Sequence, residues 1–290
     1  MKYFSQLLFS SIVLLSACFS TQPNSLLAAD TGGEIQLLMR SDDMGVSQSI
    51  NEACIQSYRD GVARSIEVIV TGAWFLDAAR LLKENPGCDV GVHLCLTSEW
   101  DYCKWGPLTH APTLVDSDGY FWPITRTRSS QPGSTGFLEA NPDLAEVEAE
   151  LRAQIEMALK HLPNVTHVSA HMGAATASPE LRTLTSRIAS EYRLRLESQE
   201  LQRFPRIGGI HSQDFESELV AALGKLGAGT WMLVEHPGFD TPELRGFGHV
   251  GYENVAQHRA GVTKAFTSKK VKTTIQERGI QLISYADLKN

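Results

Sequence analysis

The chain has 290 residues, of which 42% are hydrophobic and 20% are charged, and its formal net charge is −7 at pH 7. This composition is typical of a globular protein and excludes a largely disordered chain. The acidic balance, without a basic stripe to neutralise phosphates, excludes a nucleic-acid partner but is compatible with a neutral substrate such as a sugar.

The N-terminal stretch MKYFSQLLFSSIVLLSAC has the pattern of a targeting segment. Lys2 gives it a positive start, and residues 7–17 form an apolar run too short to span a bilayer. Residues 15–18, LSAC, are typical of a bacterial lipobox, in which the cysteine is lipidated and becomes the new N-terminus. Simple secretion after cleavage near LLAAD is the alternative, and either reading predicts export.

We therefore predict a lipoprotein signal peptide at residues 1–17, a polar tether at residues 18–33 and one folded domain at residues 34–290. The protein is expected to be exported and to contact the membrane only through a lipid anchor at Cys18, because no later segment has the roughly 20 apolar residues of a membrane helix. The sequence does not indicate the oligomeric state.

From residue 34 onward, short apolar runs alternate with longer helical patterns. The predicted strands, in chain order, are EIQLLM, SIEVIV, DVGVHLCL, HVSAHM, LRLES, TWMLVEH and QLISYADL. Helical patterns connect nearly all of them, the longest being PDLAEVEAELRAQIEMALKHL and AQHRAGVTKAFTSKKVKTTIQERG. About seven strands with helical returns predict an α/β fold with a parallel sheet, either a closed barrel or an open doubly wound sheet.

Residues 97–141 interrupt this alternation with a long segment rich in Trp, Tyr and Phe. Because long loops in compact domains are usually functional, we predict that it forms a wall of a binding cleft. A local core that only holds the loop in place is the alternative.

Four cysteines remain in the predicted domain: Cys54, Cys88, Cys95 and Cys103. Their spacings match no zinc-finger pattern. An exported protein can oxidise its thiols, but we expect buried free thiols with at most one disulfide, whose connectivity the sequence does not show.

Acidic or histidine side chains lie at or near the ends of four predicted strands. These residues are Asp42 and Asp43, His93, His171, and His236. Singly, each histidine could be structural, and the aspartates could cap the helix that begins near Ser47. Together they indicate a site, because the carboxyl ends of parallel strands share one edge of the sheet.

Two adjacent carboxylates at the end of a buried strand are unfavourable without a positive partner, and a metal ion is the simplest one. One carboxylate and two imidazoles form a hydrolytic divalent-metal site, where the metal lowers the pKa of a water and polarises a carbonyl. Because consecutive strand side chains diverge, one aspartate can bind the metal while the other takes the proton of the water. The pattern predicts metal-assisted hydrolysis.

The segments MRSDDMGVSQSINEA, DVGVHLCLT, PTLVDSDGYF, THVSAH, EHPG and QHRAGVTKAFTSKKVKTTIQERGIQLISYADL occur here in the order seen in the YdjC-like carbohydrate deacetylases, which are related to the polysaccharide deacetylases. The chain resembles this family from about residue 34 to its C-terminus. The resemblance implies one catalytic domain with a (β/α) barrel-like fold, related to the TIM barrel.

Matched residue by residue, the resemblance implies that Asp43, His93 and His171 bind a divalent metal. Zn²⁺ is the expected ion, with Mg²⁺ or another divalent ion as the alternative. Asp42 is the implied general base and His236 the implied general acid. The implied reaction removes the acetyl group from an N-acetylated amino sugar or short oligosaccharide; the resemblance does not show which sugar, linkage or chain length.

The chain departs from the family around His171. The family pattern H-x-D-x-H-x-H becomes HVSAHMG, so that Ser169 replaces an acidic residue and Gly173 replaces a histidine, while His167 is interpreted as structural. If the acidic residue only oriented a metal ligand, its loss would lower metal affinity or activity about 10–100-fold. If it contacted the substrate, its loss would change the specificity instead. The alternatives are a catalytically weakened sugar-binding lipoprotein and a metal-dependent amidase or esterase that acts on another substrate.

Overall fold

The structure is a computed structural model, and its described residues are 33–127, 135–162, 164–197, 201–209 and 214–288. Residues Gly32–Asn290 form one compact unit. The predicted signal peptide, Cys18 and nearly all of the tether lie outside the described residues, so these assignments stay predictions. None of the described helices has the length and apolar character that would let it cross a membrane.

One parallel sheet organises the described part of the chain. Its strands are β1 (Ile35–Met44), β2 (Ser65–Val68), β3 (Asp89–Leu94), β4 (Val165–Ala170), β5 (Arg195–Leu196), β6 (Gln202–Arg203), β7 (Gly229–Glu235) and β8 (Gln281–Ile283). The strand order is β5-β4-β3-β2-β1-β7-β6, and β8 pairs with the first half of β1. All pairings are parallel, which confirms the predicted α/β class, and only the short β6 was not expected.

The crossover helices cover the outside of the sheet. They are α1 (Gln48–Arg59), α2 (Phe75–Lys83), α3 (Leu144–His161), α4 (Pro179–Glu191), α5 (Phe215–Leu223), α6 (Val255–Thr267) and α7 (Lys269–Glu277). The last two replace a single predicted helix. The chain is extended at Ser268 (ψ 137°), whose hydroxyl accepts hydrogen bonds from the backbone amides of Lys270 and Val271 in the first turn of α7. This N-cap geometry starts a new helix and fixes the break.

The sheet is strongly curled. Arg40 lies on β1 and Glu197 follows β5, four strand positions away, which in a flat sheet is about 19 Å. The Arg40 guanidinium nevertheless contacts the Glu197 carboxylate at 2.8 Å. The strands therefore wrap into an open, half-closed barrel, which confirms the barrel-like fold and excludes a flat doubly wound sheet.

The side chains inside the curled sheet change from apolar to charged along the strands. At the amino ends of the strands the inside is apolar, with Leu38, Ile283 and Tyr285 packed together. Towards the carboxyl ends, charged and imidazole side chains fill it, and several of these are buried. The fold thus places the acidic and histidine residues of the strand ends at one mouth of the half-barrel.

Candidate functional site

Asp42 and Asp43 lie in an irregular part of β1. The register with β2 slips between Ser41 and Met44, and Asp43 has a left-handed backbone with φ 70°. A regular strand would send the two side chains to opposite faces, but a bulge re-aims them. Both carboxylates face His93, whose Nε2 is 3.4 Å from Asp42 and 3.7 Å from Asp43. The expectation that the side chains diverge is wrong.

The alternative that these aspartates cap α1 is also wrong. Ser47 is the N-cap residue, and its hydroxyl accepts a hydrogen bond of 3.2 Å from the amide of Ile50. Asp42 and Asp43 are thus free of any helix-capping role, although both are almost fully buried. Their negative charges therefore need positive partners within the site.

Two buried arginines neutralise part of this negative charge. Neither was predicted from the sequence. Arg40 makes two hydrogen bonds of 2.8 Å to the carboxylate of Asp42, and Arg259 of α6 donates one of 2.7 Å to Asp43. Arg40 precedes Asp42 by two residues on β1 and therefore shares its face, which is a usable sequence signal. Arg259 reaches Asp43 from 216 positions along the chain, and no local pattern indicates it.

The surroundings separate the pKa values of the two carboxyls. For Asp42, burial outweighs the attraction of Arg40 and raises the pKa to about 7. For Asp43, burial acts in the same direction, but Arg259 and the neighbouring histidines outweigh it and hold the pKa well below its usual range. Asp43 is therefore ionised near neutral pH, where Asp42 can exchange a proton.

Asp43, His93 and His171 converge on one point. One ligand atom from each lies within 4.8 Å of the others, and His171 Nδ1 is 3.4 Å from Asp43 Oδ1. Two ligands about 2.0–2.1 Å from a tetrahedral zinc ion would lie roughly 3.3–3.4 Å apart. The same Asp43 oxygen is buried without a hydrogen bond, which is unusual for a carboxylate. The donor set, its spacing and this unpaired oxygen fit a divalent metal.

Glu99 holds the other side of the His171 ring. Its carboxylate lies 2.9 Å from His171 Nε2 and so fixes the Nδ1 edge towards Asp43. Burial would lower the pKa of His171, but Glu99 and the other acidic groups nearby raise it well above its usual value. A metal that bound at this imidazole would therefore displace a proton. Glu99 comes from the long segment after β3, where the sequence indicated a cleft wall but no particular carboxylate.

His236 follows β7 and lines the same cavity of about 400 Å³ as the three candidate ligands. Burial, which outweighs the attraction of Asp43, lowers the pKa of His236 to about 4. Its imidazole is therefore neutral near pH 7. All five residues singled out in the sequence thus lie in one cavity at the carboxyl edge of the sheet.

The aromatic segment after β3 serves both of the roles considered for it. Trp100 lines the cavity, stacks on His249 at 5.7 Å and lies 5.4 Å from the Arg259 guanidinium. Trp105 and Phe121 are buried in the main core, to which Trp100 also belongs. The prediction of a cleft wall is correct for Trp100, whereas much of the segment packs as part of the core.

The four cysteines of the described domain are separate thiols. Cys54, Cys88 and Cys95 are buried, and Cys103 is partly exposed. None of them belongs to the Asp43–His93–His171 group.

A second cavity of about 910 Å³ adjoins the first, and Gly173 contributes to the lining of both. Arg203, Phe204 and Glu235 are among its other lining residues. A Cβ atom at Gly173 would meet no atom within 4 Å, so the space beside this residue is open. The glycine that replaces the expected histidine thus borders both cavities without a side chain in that space.

The comparisons with known proteins agree with this architecture. A sequence model of a family described as YdjC-like protein matches residues 36–277. A carbohydrate deacetylase of Thermus thermophilus is 34% identical over 238 residues, which are 74% of this chain and 81% of that protein. A carbohydrate deacetylase of Brevibacillus brevis is 25% identical over 270 residues, covering 88% of this chain and all of that protein.

Among solved structures, the chain resembles an Enterococcus faecalis protein proposed to act in cellobiose-phosphate cleavage. The TM-score is 0.70 at 24% identity, and the match covers 89% of this chain and all of the other. At this identity the likeness establishes the fold alone.

Proposed function

The chain belongs to the YdjC-like protein family, and from this premise we propose that it is a metal-dependent carbohydrate deacetylase. It would remove the acetyl group from N-acetylated amino sugars or short oligosaccharides, releasing acetate and a free amine. The observation that carries the proposal is the convergence of Asp43, His93 and His171 around a buried carboxylate oxygen that has no hydrogen bond. A structural ion pair does not need such an oxygen, but a metal ligand does.

In this mechanism Asp43, His93 and His171 hold the metal, most simply Zn²⁺. When bound there, the ion supplies Lewis-acid chemistry, lowering the pKa of a water and polarising the acetyl carbonyl. Asp42, whose carboxylate lies 3.4 Å from His93 Nε2 beside the candidate ligands, accepts the proton of the attacking water. His236 delivers a proton to the leaving nitrogen. Because its resting form is neutral, it would first take up the proton that Asp42 received from the water.

Acetate release tests this function. The full chain, supplied with Zn²⁺, is expected to release one acetate for each free amine formed from N-acetylglucosamine or chitooligosaccharides. Acetate from simple amides or esters, without any from the sugars, would instead favour the amidase or esterase alternative. Metal binding without hydrolysis of any of these compounds would favour a sugar-binding role.

Glu99→Gln is expected to weaken Zn²⁺ binding about 10–100-fold, because the neutral amide no longer holds the His171 ring as an anion does. Competition with a metal-chelating dye measures this affinity. Glu146→Gln is the matched control, since this carboxylate accepts hydrogen bonds from Thr113 at a distance from the cluster. Equal affinities of the two variants would contradict the proposed role of Glu99.

We further propose that the larger cavity holds the remainder of an oligosaccharide whose acetyl group lies at the metal. Gly173→His would place a ring between the two cavities, and histidine is among the residues that tolerate positive φ. The variant is expected to lower kcat/KM for tri- and tetrasaccharides by about tenfold or more, with a smaller effect on a monosaccharide.

Gly173→Ala is the matched control, because it carries the same backbone cost without the ring. Comparison of kcat/KM across chain lengths for both variants separates the two effects. A uniform loss across chain lengths in Gly173→His would show that the larger cavity does not hold the substrate.

A further inference from the structure

A buried chain of hydrogen bonds lies directly behind His93. His93 Nδ1 is 2.7 Å from the hydroxyl of Ser169, and this hydroxyl donates to the carboxylate of Glu67. The second oxygen of Glu67 lies 2.5 Å from His167 Nε2. Glu67, Ser169 and His167 have no exposed surface at all. A carboxylate placed at such a depth needs a reason, since burying an ion is costly.

The strand register explains how these side chains meet. His93 on β3 pairs with Ser169 on β4, while Gly91 on β3 lies opposite both Glu67 on β2 and His167 on β4. A Cβ atom at Gly91 would overlap the Glu67 carboxylate and the His167 ring. The glycine of DVGVHL therefore opens the path by which Glu67 crosses β3 to reach β4.

The hydrogen bonds of this buried series all run in one direction, from His93 through Ser169 to Glu67. His93 Nε2 faces Asp42 and Asp43, so a metal would bind at Nε2 and the ring proton would sit on Nδ1. Nδ1 then donates to Ser169, and Ser169 donates to Glu67. This series of hydrogen bonds ends at the Glu67 carboxylate, which is ionised. His167 and Arg40 outweigh the effect of burial and lower the pKa of Glu67 to about 2.

We propose that Glu67, acting through the hydroxyl of Ser169, is the carboxylate that fixes the tautomer and orientation of His93 for metal binding. Ser169 and Glu67 are then positioning residues of the metal site, and the acidic group missing from position 169 is supplied from β2, across β3. This inference rests on the proposed metal site. It also assigns a task to the one acidic residue of the strand SIEVIV.

A purely structural role is the competing explanation. Glu67 could serve only as the partner of His167, whose ring also stacks on Tyr285 at 3.9 Å. The two explanations differ at Ser169. Removing its hydroxyl breaks the link to His93 but leaves the Glu67–His167 pair in place. Ser169→Ala therefore separates an effect on the metal from an effect on the fold.

The experiment measures the Zn²⁺ dissociation constant of the full chain by competition with a chelating dye, with thermal unfolding recorded for each variant. Ser169→Ala is expected to bind Zn²⁺ about 10–100-fold more weakly than the wild type, and Glu67→Gln similarly. Because Glu67 acts through Ser169, the double variant should bind no more weakly than Ser169→Ala alone. Ser169→Thr keeps a hydroxyl and is expected to retain most of the affinity.

Glu150→Gln is the matched control for loss of a fully buried carboxylate. Glu150 binds the backbone amides of Leu108 and Thr109 and contacts none of the candidate ligands. The Glu150→Gln variant is expected to be less stable than the wild type but to bind Zn²⁺ with the same affinity. If Glu67→Gln does not fold, Ser169→Ala and Ser169→Thr decide the question.

Wild-type affinity in Ser169→Ala, or single effects that multiply in the double variant, would overturn the inference while leaving the proposed function intact. A wild-type chain that binds no Zn²⁺ would overturn both.

Discussion

The Asp43→Asn variant is expected to lose its metal and, with it, acetate release. The amide offers a weaker, neutral ligand in place of the buried Asp43 oxygen that has no hydrogen bond. We expect Zn²⁺ affinity to fall by more than about 100-fold, which is the upper end of the loss caused by removing an outer hydrogen-bond partner of a ligand. Dye competition measures the affinity, and an assay of released acetate measures the activity.

Asparagine is the right replacement for two structural reasons. It tolerates the left-handed backbone of Asp43, where φ is 70°. It also leaves Arg259 an oxygen to which it can donate, whereas alanine would leave the buried guanidinium without its partner, a change that costs about 3–5 kcal/mol. Thermal unfolding of the variant checks that the loss of metal is not a loss of fold. Full metal occupancy in a folded Asp43→Asn would remove this residue from the ligand set.

The Asp42→Asn variant is expected to keep its metal but to lower kcat by about 10²–10⁴-fold, the contribution of a positioned general base. The fold should tolerate the change, because Arg40 retains the Glu197 carboxylate at 2.8 Å and the Tyr285 hydroxyl at 2.9 Å. Zn²⁺ affinity and kcat, measured on the same preparation, separate binding from catalysis.

The two asparagine variants are each other's control, since they make the same chemical change at neighbouring positions. Identical behaviour would refute the division into one ligand and one base. Both carboxylates face His93, so their roles do not follow from direction alone. They follow from the partners: the two hydrogen bonds from Arg40 occupy both oxygens of Asp42, whereas Arg259 leaves one oxygen of Asp43 free.

The sequence predicts the central group of the site because parallel strands end at a common edge. Asp43, His93 and His171 each follow or end a strand, and the strand order brings those ends together. The residues that contact these candidate ligands are harder to predict from the sequence. Arg259 comes from a distant helix, and Glu99 comes from a segment without periodicity, so only the tertiary fold shows their contacts.

Two residues that the pattern could have indicated are Arg40 and Glu67. Arg40 directly follows the apolar residues LLM of β1, and Glu67 interrupts the run SIEVIV; a charged residue buried at such a position must find a partner. The curvature of the sheet was not readable from periodicity, because a closed barrel and an open sheet share the same alternation of strands and helices. It becomes evident only from contacts such as that between Arg40 and Glu197.

We propose that one bound metal is responsible for deacetylation. The most direct test determines metal per chain and acetate release from chitooligosaccharides in one sample of the full chain, before chelation, after chelation and after Zn²⁺ is restored. We predict about one divalent ion per chain, loss of acetate release together with the metal, and recovery of both on addition of Zn²⁺. Undiminished acetate release from metal-free protein would contradict the account.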